Sequence, residues 1–401
     1  MTRMLFVDDD EMLLESLEDA LWSRRAKWDM VFVPSGRQAL EECERTAFDV
    51  VVTDFRMPGM DGAALLSAIR ERYPGMARIV LSGQTDENSN GRLVHLAHQL
   101  LAKPTRPEVL VEVLERTCSL RELLMDETLL GLVGAVGQVP IAPVILSRLE
   151  QLLDRPTTSV AEVAELIERD PGMSAKILQL VNSAFFGLPR AITELTAAVS
   201  YLGTSTLRGL VVSFSVMNGD LGADGDALMA EVQRSGVAVA AVARAICGRL
   251  SLGFGAEAFV AGLVHDVGRM VLAGLPGNRY DEVLRECAAG SSLCDAERRV
   301  LGATHAEVGG YLLGLWGLPL GVVEAVVHHH DPRAVASADI TTADVVHLAK
   351  ALVALCPGDA ADSTPEASPV DREHLRERGL EDLLDTWWDT HDTTTGRGMA
   401  A

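Results

Sequence analysis

Five residues able to take part in phosphoryl chemistry stand at the ends of short apolar runs in the first 105 residues. Asp8 and Asp9 follow Met4–Val7, Asp54 follows Val50–Thr53, Ser82 follows Arg78–Leu81, and Lys103 follows a short run before Pro104. Carboxylates gathered at one place raise one another's pKa unless a cation compensates them. A hard ion such as Mg²⁺, held by oxygen ligands and retained waters, supplies that compensation. A carboxylate beside Mg²⁺, a hydroxyl and an ammonium has the parts for phosphoryl transfer onto aspartate. The carboxylate is the nucleophile, while the metal and ammonium stabilise charge on the transferring oxygens.

The five meet only if their runs are neighbouring strands. Between Met4–Val7, Met30–Val33, Val50–Thr53 and Arg78–Leu81 lie amphipathic stretches at Met12–Trp22, Arg37–Glu44 and Leu65–Arg72, with Leu93–His98 after them. Strands alternating with helices at this spacing predict a parallel sheet covered on both faces. The C-terminal strand ends then share one edge, where such folds place ligands.

The stretches Leu5-Phe6-Val7-Asp8-Asp9-Asp10, Thr53-Asp54-Phe55-Arg56-Met57-Pro58-Gly59-Met60-Asp61-Gly62, Leu81-Ser82-Gly83 and Lys103-Pro104 resemble the receiver domain of bacterial two-component response regulators. The resemblance covers about 120 residues and implies a doubly wound α/β domain with a five-stranded parallel sheet. It implies that Asp54 is phosphorylated by a sensor histidine kinase or a small phosphodonor. By the same resemblance Asp9 is the direct Mg²⁺ ligand, with Asp54 and the backbone carbonyl of Arg56. Asp8 then acts mainly through water, Ser82 hydrogen-bonds the phosphoryl group, and Lys103 pairs with it. Receivers usually carry Tyr or Phe three residues before the lysine; here that position is Leu100, so the usual aromatic readout is missing.

A second constellation lies further on. His265, Asp266, His305, His328, His329 and His330 fall between residues 265 and 330 of a region whose apolar periodicity is helical. Helical stretches are expected at Ile145–Leu153, Val160–Glu168, Ser174–Leu180, Ala197–Leu202, Leu207–Met217, Ala238–Cys247, Glu257–Leu263, Tyr280–Ala288, Glu307–Leu313, Leu320–Val327 and Ala343–Leu355, with Asp170-Pro171 as a cap-and-start signal. Imidazole plus carboxylate on helices can hold Zn, Fe or Mn and activate water. The segments Val139-Pro140-Ile141-Ala142-Pro143, Asp170-Pro171-Gly172-Met173-Ser174, Asn182-Ser183-Ala184-Phe185-Phe186-Gly187, Gly262-Leu263-Val264-His265-Asp266-Val267-Gly268 and Thr304-His305-Ala306-Glu307 resemble the HDOD domain. That all-helical domain is a regulatory branch of the HD phosphohydrolase superfamily. HD hydrolases carry an early His, the His-Asp doublet and a late Asp. Here the doublet is His265 and Asp266, but the early position aligns with Arg234 and the late one with Lys350. Each places a cation where a metal ligand is needed.

Three outputs follow: a non-catalytic relay through protein contacts, a metal-dependent phosphohydrolase of nucleotides or cyclic dinucleotides using His265, Asp266, His305, His329 and His330, or an anion sensor using Arg234 and Lys350. The relay is the leading expectation, with an unknown output protein and a homodimer as the partners the resemblance suggests.

The division expected is 1–120 receiver, 121–135 helical connector, 136–357 HDOD domain and 358–401 a flexible excursion, a docked helix and a frayed tail. Glu108 to Leu130 reads as one long helix, and Asp371 to Trp388 as another that buries Leu375, Leu380, Leu383, Leu384 and its tryptophans. Of 401 residues, 35 are Lys or Arg and 57 Asp or Glu, a net charge of −22. That field disfavours nonspecific nucleic-acid or anionic-membrane binding, and no DNA-reading element is evident. The uncharged stretch Thr128–Ser147 contains five glycines and prolines and does not read as a membrane span. Six cysteines without CxxC spacing fit scattered thiols in a reducing cytoplasm.

Overall fold

In a computed structural model of the chain, residues 1–83, 96–121, 127–136, 141–155, 158–183, 191–217, 222–275, 279–355 and 370–390 are described. They divide into two compact units. The first comprises 1–138, 179–191 and 311–318; the second comprises 139–178, 192–310 and 319–401.

In the first unit, β1 (Thr2–Val7), β2 (Trp28–Val33), β3 (Val50–Asp54), β4 (Ala77–Ser82) and β5 (Gln99–Ala102) form one parallel sheet of order β2-β1-β3-β4-β5. Val50–Val52 and Ile79–Leu81 are buried on both faces, because helices cover a sheet whose crossovers must pass above and below it. The chain moves from β1 outward to β2 and then back across to β3. This reversal opens a crevice at the carboxyl ends of β1 and β3. The helices α1 (Glu11–Leu21), α2 (Gly36–Arg45) and α3 (Gly62–Arg72) start at side-chain caps: Asp10, Ser35 and Asp61 accept from backbone amides of the first turn. The expected helix at Leu93–His98 falls mostly outside the described residues, and His98 itself leads into β5.

Of the expected helix over Glu108–Leu130 the structure describes α4 (Pro107–Arg121) and α5 (Glu127–Ala135); residues 122–126 between them lie outside the described residues. The second of these packs within the first unit. Arg78, fully buried in β4, donates from Nη2 to the Gly134 carbonyl at 2.6 Å and from Nε to Leu96 O at 2.6 Å. A buried guanidinium has to find acceptors, and the end of α5 supplies one. Burial, with Arg70 nearby, lowers its pKa to about 9.

The second unit is helical throughout its described residues. The long helix Gly222–Arg249 packs against Gly255–Val264 and Thr342–Ala354. Helices at Val267–Ala273 and Leu293–Leu301 were not among those expected from the sequence, while Ala197–Leu202 and Leu207–Met217 join into Leu195–Met217 across a kink at Gly203. Asp170 ties three segments together: it accepts from Met173 N at 2.7 Å, Ala142 N at 3.0 Å and Gln233 Nε2 at 2.6 Å. The expected single helix over Asp371–Trp388 is two, Arg372–Glu377 and Glu381–Thr390. Gly379, at φ 68°, turns the chain through a conformation that costs other residues energy. Leu375, Leu380, Leu383, Leu384 and Trp387 are buried as expected; the side chain of Trp388, and the excursion and tail at 356–369 and 391–401, lie outside the described residues.

Candidate functional site

The strand ends bring the first constellation together. Lys103 Nζ lies 2.5 Å from Asp54 Oδ1 and 2.6 Å from Asp8 Oδ2, a pair of charge-assisted contacts. Parallel pairing sets this geometry: Asp54 is opposite Leu81 and Ser82 opposite Ala102, so Lys103 follows one residue beyond the paired end of β5. Asp8 and Asp54 are buried and Asp9 is exposed, and each offers an oxygen within 4.8 Å of the others. The second oxygen of Asp54 accepts from Arg56 N at 3.1 Å. Asp10 faces elsewhere, as the cap of α1. Ser82 is buried at the end of β4.

Burial pushes the Asp54 carboxyl above the usual carboxylate range, and Lys103 offsets this only in part. Burial alone would lower Lys103, but its hydrogen bonds and charge pairing with Asp54 and Asp8 outweigh it and raise its pKa. Three carboxylates against one ammonium leave a negative, all-oxygen donor set open to solvent on the Asp9 side. That set fits a hard divalent ion. Asp8, Asp9 and Asp54 would hold it.

In the second unit, three imidazoles and a lysine surround Asp266, and a fourth imidazole stands behind them. His265 Nε2, His305 Nε2, His329 Nε2 and Lys350 Nζ lie 3.1, 3.5, 3.6 and 3.5 Å from Asp266 Oδ1. His330 Nε2 lies 3.0 Å from His305 Nε2 and 3.4 Å from Lys350 Nζ, which is also 3.4 Å from His329 Nε2. The opposite nitrogens are anchored: Nδ1 of His265 to Gly262 O and of His329 to Val326 O at 2.7 Å, and Nδ1 of His305 to Glu297 Oε2 at 2.7 Å. These bonds aim each Nε2 inward. The helices approach closely because residue 268 is glycine; a Cβ there would stand 1.9 Å from His305 O.

Burial opposes ionisation of Asp266, but His265 and Lys350 outweigh it and hold its carboxyl well below the usual range. Burial and the Lys350 charge push His329 and His330 well below ordinary imidazoles. His305 goes the other way despite its burial, because Glu297 stabilises its cation.

His265 Nε2 and Asp266 Oδ2 are buried and make ion-pair contacts, with Asp266 Oδ1 and Arg269, but no well-formed hydrogen bond among the described residues, and are atoms a metal could use. The late carboxylate of the HD set is absent, however, and Lys350 brings its ammonium against the remaining ligands. The donors therefore do not fit an HD metal centre. Arg234 stands outside this cluster. It is exposed, and no described contact joins it to Asp266 or the histidines. Its helix instead turns Glu231 inward, where it meets Arg269 at 3.1 Å, and Arg269 in turn lies 3.6 Å from Asp266. The expected early-position role of Arg234 is thereby corrected.

Two participants escaped the sequence reading. Glu297, eight residues before His305, accepts from both its Nδ1 and its backbone amide; Cys294 lies near His305 and His330. Neither sits in a recognisable local pattern. The unpredicted helix Leu293–Leu301 is what presents them.

A doubly wound sheet with this carboxylate–lysine edge defines a receiver-type domain, and the helical unit with a His-Asp doublet an HD-related one. Residues 4–115 match the response regulator receiver domain and residues 139–332 the HDOD domain. The chain belongs to the response regulators, with a receiver followed by an HD-related HDOD output domain. It is similar to the response regulator MmoQ of Methylococcus capsulatus str. Bath, at 25% identity and a TM-score of 0.50, covering 62% of this chain and 97% of that one. The probable transcriptional regulatory protein NarL of Mycobacterium tuberculosis is 32% identical over 161 residues, 38% of this chain and 72% of NarL. An uncharacterised protein of Treponema pallidum is 24% identical over 203 residues, 49% of this chain, and the chain spans only 38% of its length. Among the described residues no helix is long and apolar enough to cross a membrane.

Proposed function

We propose that the chain is a phosphorylation-controlled response regulator: Asp54 accepts a phosphoryl group from a histidine kinase or a small phosphodonor, and the HDOD unit passes the change on through protein contacts without hydrolysing a substrate. The observation that carries this reading is the contrast in lysine placement. Lys103 flanks a carboxylate with solvent-side access at Asp9, whereas Lys350 lies among the side chains that would have to bind a metal.

A carboxylate oxygen of Asp54 attacks phosphorus, the donor's bond to phosphorus breaks, and an acyl phosphate results. Arg56 N, already bonded to Asp54 Oδ2, helps fix the attacking group. Lys103 exchanges carboxylate partners for phosphoryl oxygens, and the Ser82 hydroxyl donates to another. When bound, Mg²⁺ would supply charge neutralisation between the carboxylates and those oxygens. The added acceptors and charge draw Ser82 and Lys103 inward and shift the adjoining loops. Leu100 is buried in β5, so a switch through an aromatic ring at that position is excluded by residue type.

The sensor alternative is weakened, because Arg234 lies outside the pocket and the cations described there, Lys350 and Arg269, both face Asp266. The hydrolase alternative is weakened by Lys350 itself.

The test is partner capture with the full chain, with and without a small phosphodonor and Mg²⁺, followed by mass spectrometry and a measure of self-association. The reading expects bound proteins or self-association to change for wild type and not for Asp54→Ala. Identical results in both states, or metal-dependent turnover of a phosphodiester, would overturn it.

A further inference from the structure

Cys294 gives the second unit a donor that the HD ligand set lacks. Its sulfur, a nitrogen of His305 and a nitrogen of His330 all lie within 4.8 Å of one another. They come from three places: the helix Leu293–Leu301, the first residue of His305–Leu315, and the turn after Leu320–His328. Each has its own support. Glu297, on the same helix as Cys294, bonds His305 Nδ1 at 2.7 Å and leaves Nε2 as the ligating atom. His330 brings Nε2 to 3.0 Å from His305 Nε2.

That last contact needs explaining. Two imidazole lone pairs do not face each other at this distance unless a proton or a metal ion lies between them: in the metal-free state His305 Nε2–H donates to His330 Nε2, and an ion takes that proton's place. Tetrahedral zinc ligands at ordinary bond lengths stand about 3.3 Å apart for two nitrogens and about 3.5 Å for nitrogen and sulfur. The His305–His330 spacing is within a small side-chain adjustment of that. Glu297 on the remote nitrogen is the carboxylate–histidine arrangement that orients and strengthens an imidazole ligand.

We propose that Cys294, His305 and His330 form a site for a thiophilic divalent ion, Zn²⁺ being the natural occupant, at the rim of the HDOD pocket. The mixed sulfur and nitrogen donors select this class of ion over Mg²⁺. Charge also balances. The ion, Lys350 and Arg269 carry four positive charges, met by the Cys294 thiolate, Glu297, Asp266 and Glu231. Lys350 loses His330 as a partner but keeps Asp266 at 3.5 Å and His329 at 3.4 Å. Binding sends the thiol proton, and any proton held between the two rings, to solvent. Both Cys294 and His330 are partly exposed, so an ion has a way in. The bound ion would pin the helix Leu293–Leu301 to the histidine turn, which joins this unit's packing to metal supply or thiol oxidation.

The test uses the reduced full chain in excess Mg²⁺, which occupies the receiver carboxylates, titrated with Co²⁺ and then Zn²⁺. Wild type is expected to bind one Co²⁺ with a thiolate-to-cobalt charge-transfer band and tetrahedral d–d absorption, both removed by Zn²⁺. Cys294→Ser should abolish the charge-transfer band and weaken binding by at least about tenfold; Cys118→Ser should change neither. Zn²⁺ should also protect Cys294 of wild type from alkylation, mapped by mass spectrometry, a readout that does not depend on any variant folding. A wild-type spectrum without thiolate charge transfer, a Cys294→Ser spectrum like wild type, or unprotected alkylation of Cys294 would overturn the assignment.

Discussion

At the sheet edge Lys103 touches Asp54 and Asp8 at 2.5 and 2.6 Å, with Asp9 exposed beside them. In the helical unit Lys350 stands 3.5 Å from Asp266 and 3.4 Å from both His329 and His330. One lysine is short-range and lateral; the other is more distant from each partner and shared among three. The receiver has three carboxylates for one ammonium, so it keeps a negative deficit that a cation can fill. Around Asp266 the nearest carboxylate is already met by Lys350, with Arg269 on its other oxygen. The same side chain leaves a negative donor set around it in one place and completes the neutralisation of a carboxylate in the other, and the count of carboxylates around it decides which.

The strongest way to break this comparison is at Lys103. Removing the ammonium in Lys103→Ala takes away a charge aimed at the transferring oxygens, and the rate of phosphoryl uptake from a small donor should fall about a hundredfold or more. Stopped-flow or quenched labelling measures it; a rate near wild type would remove Lys103 from the chemistry.

Lys350→Ala is expected to act on stability instead. It leaves Asp266 buried with a weaker counter-charge, at a cost of about 3 kcal/mol, the low end for a broken buried pair because Arg269 stays. Denaturant unfolding of the full chain reads it. A negligible loss would mean that Lys350 is a bystander.

Asp170 sharpens the point, since it is a buried carboxylate with only neutral donors. Its pKa rises to about 6 because burial outweighs those hydrogen bonds. A raised folded-state value means the protonated form is favoured by folding. This contribution is complete below about pH 4, is lost as pH climbs to about 6, and amounts to about 3 kcal/mol. Asp170→Asn should flatten the stability profile between those values. An unchanged slope would assign the pH dependence elsewhere.

The smallest effect belongs to the C-terminal helices. Arg333 bonds Asp371 at 2.6 Å and holds its carboxyl down at about 2. The stabilisation is present above about pH 4 and lost as pH falls toward 2, but the pair is solvent-screened. Arg333→Ala should return Asp371 toward an ordinary carboxylate titration by NMR and lower the melting temperature only slightly. No movement of the Asp371 titration would contradict the pairing.

Much of the receiver could be read from the chain because period and chemistry coincide there. Runs such as Val50–Val52 end directly in the side chain that matters, and parallel pairing carries each ending to the same edge. The helical unit is less transparent. Helix periodicity places His265, Asp266 and His305 on elements but does not say which way a long helix faces, so Arg234 was expected in a pocket that its helix turns away from. Glu297 and Cys294 sit on a short helix with charges at four of its nine positions, and the contact with His305 is tertiary. The tail shows the same limit on a smaller scale: apolar spacing across Asp371–Trp388 runs through Gly379, where the backbone reverses.

The most direct measurement is site mapping of phosphate on the full chain after treatment with a small phosphodonor. One phosphoryl group per chain is expected, dependent on Mg²⁺ and confined to the peptide that contains Asp54. Phosphate at another residue, or none under these conditions, would contradict it.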